Sequence, residues 1–86
     1  MFSKNPEVIV QKNESGIVLL DMDSGKFYSL YDIAVDIWEY IEEELSYEEM
    51  IQRIIGSYNI PAEQASSDLE TFLNELYKEK IIKQSF

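Results

Sequence analysis

The sequence changes its hydrophobic period once, between Leu30 and Ile33. Before this point, three short segments of β-branched, aromatic or alternating residues are separated by clusters of turn-forming residues, a pattern typical of strands joined by tight turns. After it, apolar residues recur every three and four positions, which is typical of helices with one apolar face. This order predicts an α+β fold, a three-stranded antiparallel meander followed by three helices.

The three predicted strands are residues 8–12, 17–22 and 26–30. Residues 17–22 are apolar on both faces, so this segment is predicted to be the central strand with cover on both sides. Residues 26–30 then lie on an edge, where the outer backbone N–H and C=O groups have no partner inside the chain. Such an edge is either protected against the addition of a further strand or used to bind another peptide. From the residues alone, a peptide-binding role and an ordinary half-buried strand both remain open.

The boundaries of the three helices follow from capping signals. Asp32 is predicted to be the N-cap of the first helix, which ends near Glu43 because acidic residues there oppose the helix dipole. Ser46 is predicted to open the second helix with a capping box, since Glu49 stands at the third helical position. Pro61 ends that helix and is predicted to be the first residue of the third.

All 86 residues are predicted to form one domain, because a chain of this length is typical of a single small core. Residues 1–7 and 84–86 are predicted to fray, and Ile81 and Ile82 to pack back on the body. The start of the sequence lacks the apolar core of a signal peptide, and no apolar run is long enough to cross a bilayer. The predicted location is therefore the cytoplasm.

The composition argues against catalysis and nucleic-acid binding. The chain contains no Cys and no His, which removes the thiol nucleophile, the usual general base and the commonest metal ligands. Seven basic against 17 acidic residues give a net charge of −10, which repels phosphate backbones and anionic membranes and suits a neutral or basic partner. A carboxylate pair could still act as acid and base, but close pairs are expected by chance among so many acids. We predict no enzyme, no metal and no cofactor.

Two acidic motifs have alternative interpretations. Residues 21–25 resemble the start of a calcium loop, but the later ligands and the closing Glu are missing, so a tight turn capped by Asp21 and Ser24 is predicted. The second motif, which we call the acidic corner, comprises Glu42, Glu43, Glu44, Glu48 and Glu49. It is predicted to be a solvated corner between two helices. The alternative is a binding surface for a basic partner.

A longer pattern carries a family resemblance. Its residues are, in order, Asp21, Gly25, Phe27, Tyr28, Leu30, Ala34, Ile37, Trp38, Ser46, Tyr58, Asp68, Leu69, Phe72, Leu73, Leu76, Ile81 and Ile82. Their order and spacing resemble the PqqD-like family of winged-helix-like proteins, also called the RiPP recognition element. The length resembles the standalone proteins of lasso-peptide gene clusters, or PqqD itself. Two positions depart from the family pattern: Tyr31 stands where Asn is usual, and Lys80 where Gly is frequent.

The resemblance implies a non-catalytic adaptor in the biosynthesis of modified peptides. Such a protein binds the leader of a ribosomally made precursor peptide as an added strand and presents it to a processing enzyme, which can be a leader peptidase, a cyclase or a radical enzyme. Carried onto this sequence, the peptide-binding residues are Lys26, Phe27, Tyr28, Ser29 and Leu30 on the third strand, and Asp68, Leu69, Phe72, Leu73 and Leu76 on the third helix. The alternative is a structural module in which the same strand edge pairs with a second copy of the chain.

Overall fold

The computed structural model describes residues 2–84. Its elements, in chain order, are β1 (Phe2–Lys4), β2 (Val8–Asn13), β3 (Gly16–Asp21), β4 (Phe27–Leu30), α1 (Ile33–Glu42), α2 (Tyr47–Tyr58), α3 (Ala62–Lys78) and β5 (Ile82–Gln84). The predicted α+β order of a three-stranded meander followed by three helices is confirmed. Two short terminal strands, β1 and β5, were not predicted.

The meander β2–β3–β4 is antiparallel, with β3 in the middle and β4 on an edge, as predicted. Only one of its faces is covered, because the core forms on the side that carries Ile17, Leu19 and Leu30. On the opposite side, Leu20 and Phe27 remain 36% and 70% exposed. The prediction that the central strand is covered on both sides is therefore wrong for the part of the chain described here.

The helices supply most of the core that packs against the sheet. Trp38, Met50, Ile54 and Leu69 are all fully buried, and they come from all three helices. The spacing of three and four residues between apolar positions explains this arrangement, because it places them on one face of each helix. The three helices therefore bury a shared core and hold α3 in a fixed position relative to the sheet.

The predicted helix starts are confirmed to within one residue. Ser46 and Glu49 form both hydrogen bonds of the capping box at the start of α2. Pro61 is the N-cap of α3 and lies one position before the first helical residue. Asp32 is the N-cap of α1, but the expected side-chain cap is absent and its backbone lies at φ 54°. Backbone carbonyls of residues 31 and 32 accept the first hydrogen bonds of α1 instead.

All three helices end with a residue other than glycine in the left-handed region, and at the ends of α1 and α3 this residue forms the same kind of turn. After α1, Glu44 lies at φ 59°, and after α3, Lys80 lies at φ 62°. In both turns, the N–H of this left-handed residue and the N–H of the residue after it donate to carbonyls of the last helical turn in the pattern of a Schellman motif. Lys80 thus adopts the conformation that glycine favours, and the departure from the family pattern at this position leaves the turn intact.

The N-terminal segment does not fray as predicted. Phe2–Lys4 pairs with Ile82–Gln84 in an antiparallel two-stranded sheet, and Asn5 N–H donates to the Ile81 carbonyl at 2.9 Å. Because the two strands come from opposite ends of the sequence and are three residues long, no local pattern indicates their pairing. Ile81 and Ile82 are buried, which confirms that this pair packs on the body. Residues 85 and 86 of the predicted C-terminal tail lie outside the described residues.

Within residues 2–84, no helix is long and apolar enough to cross a membrane.

Candidate functional site: a strand edge beside a cleft

The direction of each backbone group on β4 follows from the strand register. Asp21 N–H donates to the Lys26 carbonyl at 2.9 Å, so these two residues form a hydrogen-bonded pair at the start of the β3–β4 ladder. In an antiparallel ladder, such pairs alternate with pairs that do not exchange hydrogen bonds. Counting along the register, Tyr28 and Leu30 direct their N–H and C=O groups towards β3.

Phe27 and Ser29 therefore direct their backbone groups away from the sheet. β4 is the last strand in the order β2–β3–β4, and the terminal strands β1 and β5 pair with each other instead of with β4. Among the described residues, no strand lies beside this outer edge. Two N–H donors and two C=O acceptors are thus available there for an incoming strand.

A cleft of about 500 Å³ lies along this edge, between β4 and α3. We call it the strand–helix cleft. It is lined by Tyr28, Ser29, Leu30, Ala34, Phe72, Glu75, Leu76, Lys78 and Glu79. Because the cleft lies directly beside the unpaired backbone groups, a peptide bound to the edge would place alternate side chains in it.

Half of the predicted site residues line this cleft. Tyr28, Ser29, Leu30, Phe72 and Leu76 do so, whereas Lys26, Phe27, Asp68, Leu69 and Leu73 do not. Lys26 and Phe27 are exposed next to the edge, and Asp68 is exposed on α3 one helical turn before Phe72. Leu69 and Leu73 are 0% and 5% exposed, so the structure places them in the core. Their spacing predicted an apolar helix face but could not separate the cleft from the core.

Four lining residues were missed: Ala34, Glu75, Lys78 and Glu79. Glu75 and Glu79 stand three and seven positions after Phe72, so they lie on the same stripe of α3. Their helical spacing can be read from the sequence. They were missed because only apolar residues on this stripe of α3 were considered. Ala34 lies in the first turn of α1, and its small side chain leaves room at the Leu30 end of the cleft.

A polar contact bridges the cleft at its other end. Tyr28 Oη donates to Glu79 Oε2 at 3.1 Å, and Lys26 Nζ lies 3.8 Å from the same oxygen. Desolvation raises the pKa of the Tyr28 phenol above its usual value, and the hydrogen bond to Glu79 adds to this effect. The contact joins the strand to the helix across 51 residues of sequence. It therefore links the two walls of the cleft.

The acidic motifs have structural roles in the described residues. Asp21 accepts hydrogen bonds from the Asp23 N–H and the Ser24 hydroxyl, as expected of the predicted tight turn. In the acidic corner, Glu42 pairs with Lys12 at 2.8 Å and Glu43 with Arg53 at 3.9 Å. Across residues 2–84, no group of three His, Cys, Asp or Glu side chains could hold a metal ion.

Two solved structures are similar to this chain. "Lasso peptide synthetase B1 complexed with the leader peptide" is 25% identical, with a TM-score of 0.89 over 96% of this chain and 98% of that chain. "TbiB1 in Complex with the TbiA(beta) Leader Peptide" is 23% identical, with a TM-score of 0.91 over 98% of both chains, and at this identity it shows the fold alone.

A comparison with curated proteins gives no match. The family model described as coenzyme PQQ synthesis protein D (PqqD) matches residues 16–82. This span contains β3, β4 and all three helices, and therefore every lining residue of the strand–helix cleft. The chain belongs to the PqqD family.

Proposed function

We propose that the protein is a non-catalytic adaptor that binds the leader segment of a ribosomally made precursor peptide. The leader adds as a strand to the outer edge of β4, and the protein presents it to a processing enzyme. The observation that carries this proposal is the position of the outward backbone groups of Phe27 and Ser29 directly beside the strand–helix cleft. Membership of the PqqD family and the similarity to the leader-peptide complex that is 25% identical support it.

The energetics require both parts of the site. Four ladder hydrogen bonds contribute about 1 kcal/mol each, and association alone costs at least about 4 kcal/mol. The backbone pairing on its own therefore gives little net affinity. An apolar side chain that becomes buried in the cleft adds about 1.5–3 kcal/mol, and a micromolar complex needs about 8 kcal/mol, so about three to five such side chains must become buried.

Specificity then comes from the cleft and not from the ladder. Every peptide carries the same backbone groups, whereas the cleft accepts only side chains that fit its apolar walls. Glu75 and Glu79 add negative charge to one wall. A leader that carries a Lys or Arg close to its apolar anchors would complement these carboxylates and associate faster with this acidic protein.

A second copy of the chain could occupy the same edge. The exposed row Ile9, Leu20 and Phe27, which crosses the open face of the sheet, favours this alternative because such a row can extend across a strand-paired dimer. A net charge of −10 on each copy opposes it. Sedimentation at several concentrations separates the two cases: a dimer that persists in the presence of a bound peptide would favour the structural module.

The proposal is tested with peptides selected from a displayed random library on the intact chain. A selected peptide and its scrambled version are titrated into the ¹⁵N-labelled protein, and backbone amide shifts are followed. We expect the selected peptide alone to shift the amides of residues 26–30 and of α3. Shifts confined to the acidic corner would reject the site, and equal binding of the scrambled peptide would reject specific recognition.

A further inference from the structure

A second cleft, of about 550 Å³, lies on the other side of the last turn of α3. It is formed by that turn, by β5 and by the connection between β1 and β2. Lys78, Lys80 and Lys83 line it together with Tyr77, whose side chain is 59% exposed. Among residues 2–84, no acidic residue lines it. We call it the lysine cleft.

This cleft concentrates cations in a protein that has few of them. Only seven residues of the chain are basic, against 17 acidic residues. Three of the other four basic groups are paired with glutamates: Lys12, Lys26 and Arg53. The fourth, Lys4, donates to the Val8 carbonyl at 2.7 Å. By contrast, within the described part of the chain no carboxylate lies within salt-bridge distance of Lys78, Lys80 or Lys83.

Stabilisation of the α3 dipole does not account for all three lysines. A cation in the last helical turn is favourable, and this explains Lys78. The effect falls off within that turn, and Lys83 lies beyond it, in β5. Because the Debye length is about 8 Å at physiological salt, a ligand in the cleft experiences these three local charges more than the carboxylates that lie farther away than this.

The lysine cleft and the strand–helix cleft lie on either side of the last turn of α3, and Lys78 lines both. The charge changes sign between them: Glu75 and Glu79 outnumber Lys78 in the first cleft, whereas the charged side chains described in the second are all lysines. We propose that the lysine cleft binds Asp or Glu side chains of the same precursor peptide whose backbone pairs with β4. This inference rests on the proposed function, and it deepens that function by adding an acidic motif at a fixed distance from the apolar anchors. Because the charge differs in sign between the two clefts, basic and acidic side chains of the peptide would bind at different ends of the site. This difference would determine the direction in which the peptide lies.

The test uses two variants with the same net charge. Lys78→Gln, Lys80→Gln and Lys83→Gln together change the net charge from −10 to −13. The control carries Gln11→Glu, Gln52→Glu and Gln64→Glu, at exposed positions outside both clefts, and also reaches −13. Library selection on the unchanged protein is expected to enrich peptides that combine apolar anchors with an acidic cluster. The affinity of such a peptide is then measured by fluorescence anisotropy at low salt.

We expect the lysine variant to bind about tenfold more weakly, while the control stays within about twofold of the unchanged protein. In about 0.5 M NaCl the difference should nearly vanish, because the contacts are exposed and screened. Equal weakening in both variants would overturn the inference, and so would selected peptides without acidic enrichment. Amide shifts of residues 26–30 on addition of the peptide distinguish a failure of this inference from a failure of the proposed function. If the peptide binds to β4 without using the lysine cleft, these shifts are still observed.

Discussion

The two edges of the meander offer the same kind of backbone in different surroundings. In β2, as in β4, every second residue directs its backbone N–H and C=O groups away from β3. These outward-facing residues of β2 are Val8, Val10 and Lys12. Both backbone groups of Val8 are already engaged: its N–H donates to the Asn5 carbonyl at 3.0 Å, and its C=O accepts from Lys4 Nζ at 2.7 Å. Lysine at an exposed edge is a common means of preventing strand addition.

The edge of β4 has no such protection among the residues described. Its outward-facing residues, Phe27 and Ser29, lie beside the strand–helix cleft, whereas no β2 residue lines either of the two clefts. The comparison teaches that an unpaired edge alone does not make a binding site. An adjacent apolar cleft supplies the affinity that four backbone hydrogen bonds cannot, and the absence of capping side chains keeps the edge accessible.

The largest expected effect comes from a proline on the edge of β4. Ser29→Pro removes an outward N–H and places its ring in the path of the incoming strand. The ladder to β3 stays intact, because the lost N–H faces outwards. We expect peptide affinity to fall by at least about tenfold, with the fold retained. Fluorescence anisotropy measures the affinity, and circular dichroism checks the fold.

The matched control is Lys12→Pro, which removes an outward N–H from the opposite edge. It is expected to leave peptide affinity within about twofold, because strand addition at β2 has no adjacent cleft to support it. A comparable loss of affinity in both variants would contradict the difference between the edges.

Filling the cleft should have an effect of similar or smaller size. Ala34 is half-buried and lines the strand–helix cleft, so Ala34→Phe would occupy space that a leader side chain needs. We expect an affinity loss of about fivefold to tenfold, measured by isothermal titration calorimetry. Ala62→Phe, at an exposed position at the start of α3, serves as the control. If Ala34→Phe binds as tightly as the unchanged protein, the cleft does not hold peptide side chains.

A smaller effect concerns the contact that bridges the cleft. Glu79→Gln should lower the pKa of the Tyr28 phenol towards its usual value, because the carboxylate that favours the neutral phenol is lost. ¹³C NMR of the tyrosine Cζ atoms measures this change. Tyr58 is the internal control, since its hydrogen bond to Asp36 raises its pKa to about 12 and does not involve Glu79. An unchanged Tyr28 titration would show that the contact with Glu79 does not form in solution.

The sign of the pH dependence follows from the raised pKa values. The folded protein holds these phenols neutral more strongly than the unfolded chain does. Their contribution to stability is therefore fully present below pH 10 and is lost as the pH rises through the raised values, which for Tyr58 means about 12.

The smallest effect on binding is expected at a position outside both clefts. Glu44 lies at φ 59° at the end of α1, so Glu44→Gly relieves a left-handed strain of about 1 kcal/mol. In a chain of this size that raises the Tm by about 4–8 °C. Thermal unfolding measures the gain, and peptide affinity should stay unchanged. A rise in affinity that parallels the rise in Tm would mean that global stability, and not the local edge, controls binding.

Much of the fold was predictable because local patterns determine it. The alternating and β-branched segments before Leu30 gave the meander, and the Ser46–Glu49 capping box fixed the start of α2. The pairing of β1 with β5 could not be predicted, since it joins two three-residue segments from opposite ends of the sequence. The open face of the sheet was missed because an apolar strand is also typical of one that is covered on both sides.

The candidate site was predictable in part. The position of β4 at an edge followed from the meander, and its outward-facing residues followed once the register was known. Helical spacing alone could not distinguish Phe72, which lines the cleft, from Leu69, which lies in the core. The lysine cleft was not predictable either, because it depends on the packing of β5 against the end of α3.

The most direct test of the central claim is amide hydrogen exchange with and without a selected peptide. In the free protein, the N–H groups of Phe27 and Ser29 on β4, and of Val10 and Lys12 on β2, should exchange quickly, because all four face outwards from the meander. Peptide addition is predicted to slow exchange at Phe27 and Ser29 and to leave Val10 and Lys12 unchanged. Slower exchange at Val10 and Lys12, or no change at either edge, would contradict strand addition at β4.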